Sequence, residues 1–174
     1  KTPIAIHIAE TLRRQGERPA VILRGYGGRF RGPLKVSQKR HTAYDVGDEA
    51  VLHSRHGETW IAHNRLHAAV EAEKCGATII ILDDAHQHTS LKKDFSILVI
   101  DGEKGFGNRN IIPAGPLRED IDAGLDRADS IVIMRGITNG YVKELAGQYK
   151  FLKARLQTVD RNAKLIGARV VAFA

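Results

Sequence analysis

Cysteine is nearly absent from this 174-residue sequence: the one thiol, Cys75, can form no internal disulfide, which fits a reducing compartment. Aromatic residues are scarce as well, at 6%, and they are scattered instead of interleaved with basic residues. No stacking platform for single strands is therefore expected, and nucleic acid is not the expected partner. No apolar run approaches the roughly 20 residues of a membrane-crossing helix, so any membrane contact is expected to be peripheral. There is no internal repeat and no low-complexity tract, which sets aside solenoids and arrays.

What is present is an ordinary globular mixture, 43% hydrophobic and 27% charged, long enough for one sizeable core. The net charge of +7 favours polyanionic partners such as nucleotides, phospholipids or phosphorylated sugars without choosing among them. Lys1 already enters a helix, and residues 169–174, RVVAFA, read as a buried strand. The expectation is a single domain over 1–174, truncated at both ends.

The chain is organised around residues 77–88, ATIIILDDAHQH. A β-branched run ending in Leu82 suits a strand buried on both faces, as in a parallel sheet flanked by helices. Asp83 and Asp84 then fall at its carboxyl end, the edge where open α/β sheets bind ligands. Aspartate also ends strands simply as a turn former. Two adjacent acids repel, however, and need a cation, donors or solvent in compensation.

Further strands are expected over 19–23, 59–62, 96–101, 130–134 and 169–174, with helices over 3–15, 45–55, 63–74, 119–128 and 140–157. This alternation predicts a three-layer α/β domain with a mainly parallel sheet. Asp45 reads as the cap of the helix to Arg55, with Asp48 and Glu49 in its first turn, or else Asp48 is a general base and Glu49 a metal-shell residue. His63 and His67 would share one face of the next helix. Cys75 reads as a small hydrophobe at that helix's end. Lys1-Thr2 could close a phosphate-binding GxxxxGK[ST] loop or simply start a helix. Arg24-Gly25-Tyr26-Gly27-Gly28-Arg29 offers backbone amides and bidentate arginines to phosphate, or is a flexible basic turn. Residues 29–41 form a basic loop with Arg29, Arg31, Lys35, Lys39 and Arg40, suited to an anionic headgroup or membrane surface. Residues 104–119 make a long connection of the kind that usually carries function.

RGYGGR at 24–29, DVGDEA at 45–50, LDDAHQH at 82–88 and GFGNRNIIPAGPLRE at 105–119, in this order and spacing, resemble the tetraacyldisaccharide 4′-kinase family over nearly the whole chain. The resemblance implies a P-loop NTPase-like fold, ATP with Mg²⁺, and phosphorylation of the 4′-hydroxyl of a tetraacyldisaccharide 1-phosphate, the lipid A precursor. It also implies peripheral work on the anionic membrane, at the cytoplasmic face of the bacterial inner membrane. It places Lys1 on the β- and γ-phosphates, Thr2 on magnesium, Asp48 as the acid that activates the sugar hydroxyl and Glu49 in the metal shell. Asp83 and Asp84 match the Walker-B-like metal pair and His88 the histidine closing that motif, while Arg24 and Arg29 would help hold phosphate.

The sequence departs from the family in three places. Glycines of the phosphate loop are not present before Lys1, the family's histidine-bearing DHH segment is not present after Ala174, and Ala85-His86 replace the usual Gly-Phe of DDGFQH. The segment by itself is expected to be inactive. Two other classes remain open: a nucleotide- or anion-binding α/β module without turnover, and a metal-dependent hydrolase using Asp83, Asp84, His86 and His88.

Overall fold

A computed structural model describes residues 1–157; the expected strand at 169–174 lies outside the described residues. The first helix, α1 (Thr2–Arg14), carries Pro3 in its first turn and lays its small residues Ala5 and Ala9 into the core. These short side chains let it approach the fully buried strand β1 (Pro19–Leu23). That strand pairs in parallel with β3 (Thr59–Ile61) on one side and β4 (Ile79–Leu82) on the other.

Side chains of β1 alternate between two cores, as the twofold period of a strand requires. Val21 and Leu23 join Ala9, Val46, Ala50 and Ile61 on one face. Ala20 and Ile22 join Trp60, Ala68 and Ala72 on the other, beneath helix α4 (Arg65–Lys74). Helix, sheet and helix are thus the three layers, and an unbroken apolar run is what a doubly covered strand needs.

The parallel strands fall into two hydrogen-bonded sheets where the sequence suggested one. The first has the order β2-β3-β1-β4, with the two-residue β2 (Leu34–Lys35) antiparallel at its edge. The second has the order β5-β6-β7, all parallel, from β5 (Ile97–Asp101), β6 (Ser130–Met134) and β7 (Phe151–Ala154). Its core is built from Ile100, Ile131 and Ile133 against Leu125 of helix α5 (Ile121–Asp126) and Val142 and Leu145 of α6 (Gly140–Gln148).

Several expected boundaries move, each for a local reason. The helix predicted over 140–157 stops at Gln148 because Tyr149 turns extended, and the chain then enters β7 beside β6. Asn64 caps α4, so His63 precedes the helix and shares no face with His67; it meets Arg31 at 2.9 Å instead. Asp45 does not cap the helix to Arg55. It is the third residue of a four-residue helix, α2 (Ala43–Val46), where it reaches back to accept from the Thr42 amide at 2.8 Å and hydroxyl at 2.9 Å. The following helix, α3 (Asp48–Ser54), begins after Gly47 and carries Asp48 and Glu49 in its first turn.

Candidate functional site

The carboxyl end of β4 gathers the charged groups. Lys1, at the start of α1, places its Nζ 2.7 Å from Asp84 Oδ1, and Arg118 reaches Asp84 Oδ2 at 3.3 Å. Lys1, Asp84 and Arg118 line a cavity of about 260 Å³ whose apolar wall includes Leu98, Phe106 and Leu117. The long 104–119 connection thus folds over the acid-ended strand, as loops at a sheet's carboxyl edge do.

The two aspartates do different things. Asp83 points inward, its side chain 4% exposed, while Asp84 presents a side chain 37% exposed. Asp83 accepts from His53 Nε2 at 3.0 Å through Oδ2 and from the Asp84 amide at 2.8 Å through Oδ1. Burial raises the Asp83 carboxyl, but His53, the Asp84 amide and the Lys1 charge outweigh it and hold the group below the usual carboxylate range. Burial likewise raises Asp84, and Lys1 followed by Arg118 brings it below that range. Both acids are therefore ionised at neutral pH.

Asp84 carries a φ of +53°, a left-handed conformation in which side-chain-bearing residues are uncommon. The strain falls on Asp84 and not on Ala85, so the departure from the family's glycine at 85 requires no unusual backbone there. Ala85 is buried, and His86 Nε2 donates to the Gly124 carbonyl at 2.7 Å, tying this turn to α5. Arg65 Nη2 donates to the Asp84 carbonyl at 3.2 Å, while its buried Nε has no hydrogen-bond partner among the described residues.

The remaining sequence candidates occupy distinct positions. His88 is held below its ordinary value by burial and by the charges of Arg65, Lys93 and Arg24, so its ring is neutral at pH 7; Lys93 donates to its carbonyl. Arg24 is exposed within the electrostatic reach of Arg65 and His88. Arg29 is engaged elsewhere: its Nε donates to Asp45 at 2.8 Å and its guanidinium lies over Phe30 and Tyr44. Asp48 and Glu49 are exposed, with the Glu49 amide donating to Asp48 Oδ1 at 2.8 Å. Thr2 is half-buried beside Lys1 in the first turn of α1.

Two sequence motifs interlock next to Asp48. A Cβ on Gly28 would lie 2.7 Å from Val46 Cα, and at Gly47, with φ +88°, it would run into the Tyr26 carbonyl. Only glycine at both positions lets the 24–29 loop lie on the corner that launches α3.

Thr2, Glu49 and Asp84 offer hard oxygen donors of the kind magnesium takes. Among the described residues no group of three His, Cys, Asp or Glu side chains converges into a cage. His53 and Arg65 were not legible as site residues, since neither stands in a spacing pattern. Arg118 lay within a quoted motif without a role.

A family model described as LpxK, tetraacyldisaccharide-1-P 4′-kinase, matches residues 1–174. The tetraacyldisaccharide 4′-kinase of Rhodospirillum rubrum is 41% identical over 178 residues, which cover 100% of this chain and 54% of that protein. The enzyme of the same name from Parvibaculum lavamentivorans is 48% identical over 133 residues, or 76% of this chain and 39% of that one. A crystal structure of the "apo" form of LpxK from Aquifex aeolicus, in complex with ATP, is similar with a TM-score of 0.65 and 26% identity, over 76% of this chain and 42% of that chain. The chain spans about half the length of the curated relatives that it matches over its whole extent.

Proposed function

Because this chain belongs to the tetraacyldisaccharide-1-P 4′-kinase family, we propose that the protein to which it belongs transfers the γ-phosphate of ATP to the 4′-hydroxyl of a tetraacyldisaccharide 1-phosphate, the lipid A precursor. The observation that carries the reading is the Lys1–Asp84–Arg118 cluster on a cavity at the carboxyl end of β4, in a chain whose full extent matches the family.

Phosphoryl transfer asks a protein mainly for in-line positioning and charge stabilisation. Lys1 is placed to exchange Asp84 for the β- and γ-phosphate oxygens, and Arg118 to grip the same anion. Arg24 and Arg29 are the further phosphate-holding candidates, Arg29 only by leaving Asp45. Thr2, Glu49 and Asp84, with Asp83 behind them, would hold Mg²⁺. The ion supplies neutralisation of the charge on the phosphate oxygens. Asp48 takes the proton from the attacking hydroxyl, and His88, neutral and backed by Arg65 and Lys93, completes the turn on the phosphate side.

Acyl chains of such a substrate lie in a bilayer and its phosphate donor is ATP, so the reading carries with it peripheral work on an anionic membrane, at the cytoplasmic face of the bacterial inner membrane. The described residues contain no helix long and apolar enough to cross one. Their contribution to surface contact is the basic loop with Arg31, Lys39 and Arg40.

We further propose that 1–174 forms one P-loop kinase-like unit within a longer chain. The test is an assay of the protein expressed from its complete gene, with γ-labelled ATP, Mg²⁺ and tetraacyldisaccharide 1-phosphate. Label at the 4′ position is the expected result. Nucleotide binding without transfer would overturn it in favour of a binding module.

A further inference from the structure

We propose that His53 is a positioning residue of the phosphate site, acting through Asp83 to hold the Asp84 turn in the conformation that presents its carboxylate to Lys1. The proposal rests on the kinase reading above for what that site binds, and on the side-chain geometry for how it is held.

His53 has a side chain 1% exposed, on the last turn of α3. A buried imidazole needs partners for its polar atoms. Its Nε2 donates to Asp83 Oδ2, since the carboxylate can only accept, and this fixes the proton on that nitrogen. The other Asp83 oxygen accepts from the amide of Asp84. One carboxylate thus spans from a helix to the backbone of the next residue.

That next residue is the strained one. Asp84, with φ +53°, is braced at its amide by Asp83, at its carbonyl by Arg65 and at its side chain by Lys1 and Arg118. Positive φ at an aspartate persists where the surroundings over-determine it. Without the His53 bond, Asp83 keeps a buried charge with one oxygen unpaired. Rotation of its side chain to recover a partner would release the Asp84 amide, and the turn with it.

His53 also shares a rigid helix with Asp48 and Glu49. Five residues along a helix correspond to about 7.5 Å of axial rise. The helix that carries the acid for the acceptor hydroxyl is therefore pinned by its other end to the acids of the phosphate side. The His53–Asp83 hydrogen bond links the two.

The test uses the protein expressed from its complete gene and reads ATP affinity by calorimetry with Mg²⁺ and with EDTA. His53→Leu should weaken Mg²⁺-dependent ATP binding by about tenfold or more, the usual loss when a residue that orients a metal ligand is removed. Its affinity in EDTA should stay near that of the parent. His53→Gln, which can place an amide nitrogen near the Nε2 position, should restore binding to within about threefold. His53→Asn, too short to reach Asp83, should behave as the leucine variant and serves if that variant does not fold. Equal Mg²⁺ dependence in parent and in the leucine or asparagine variant overturns the proposal, even if their thermal midpoints fall. A parent protein that binds no Mg²⁺–ATP overturns the kinase reading instead, and the two failures are distinct.

Discussion

Lys1 and Asp84 form an ion pair with Nζ 2.7 Å from Oδ1, joining the start of α1 to the turn after β4. Both side chains are well exposed, so the pair itself adds little to stability. Under the proposed function the pair is a preset site, its cation for phosphate and its anion for the metal. In the protein from the complete gene, Asp84→Asn should lower kcat by about 100-fold, the scale for removing one electrostatic stabiliser. Lys1→Met should weaken ATP binding as well as turnover. Steady-state kinetics paired with calorimetry separates the two, and an Asp84→Asn enzyme of normal kcat would take that acid out of the site.

Asp48 sits exposed in the first turn of α3, free to meet an acceptor hydroxyl. Asp48→Asn should reduce kcat by roughly 100-fold or more while leaving ATP affinity within about twofold, since a general base acts only as the bond forms. Unchanged kcat would remove it as the base.

The basic loop divides by what its cations already hold. Arg29 is bound to Asp45 and Lys35 to Glu58, whereas Lys39 and Arg40 have no ion pair among the described residues and Arg31 meets only His63. Changing Arg31, Lys39 and Arg40 together to Gln should weaken binding to phosphatidylserine-containing vesicles by about tenfold or more, at about 1 kcal/mol per surface charge near an anionic membrane. Vesicle sedimentation at fixed ionic strength measures this. Binding that stays the same would assign the loop elsewhere.

Backbone contact at the Gly28–Val46 junction leaves no room for a methyl group. Gly28→Ala should cost about 1–3 kcal/mol through overpacking against atoms that cannot swing aside. Gly136→Ala, where a Cβ meets nothing within 4 Å, is the control and should be close to neutral. Urea midpoints compare them, and equal midpoints would mean that the loop relaxes.

Asp45 titrates in a predictable direction. The Thr42 amide and hydroxyl, then Arg29, hold its carboxyl below the ordinary value of 3.8. A carboxyl depressed by folding stabilises the native state above its unfolded pKa, and that contribution is lost as pH falls through the folded pKa. The urea midpoint should therefore drop below about pH 4 and do so less steeply in Asp45→Asn. Parallel pH profiles would show that the capping contact is not ionic.

Much of the candidate site was legible in one dimension because it lies at the ends of strongly patterned elements. The acid pair after residues 78–82, Lys1-Thr2 at a helix start, and the glycine motifs at 24–29 and 45–50 could all be marked, and the structure brings Lys1 to Asp84 and Gly28 to Val46. Short or irregular elements were not marked. Strand β2 has two residues, too few for a period, and β7 begins only two residues after α6, whose late Gly147 reads as one more helical residue. Asp45 was given the wrong job because a carboxylate before a helix and one inside a preceding turn look alike in sequence.

By itself the sequence determined the parallel α/β character, since unbroken β-branched runs are legible as strands covered on both faces, and it determined the family through short motifs that can be read in order along the chain. Tertiary structure alone decided which of two adjacent aspartates faces solvent. That depends on His53, 30 residues away from Asp83 in the chain, and on Arg65 and Arg118, which meet Asp84 only after the chain has folded. Burial, pairing and pKa at this turn are properties of contacts between distant residues, and no short-range pattern encodes them.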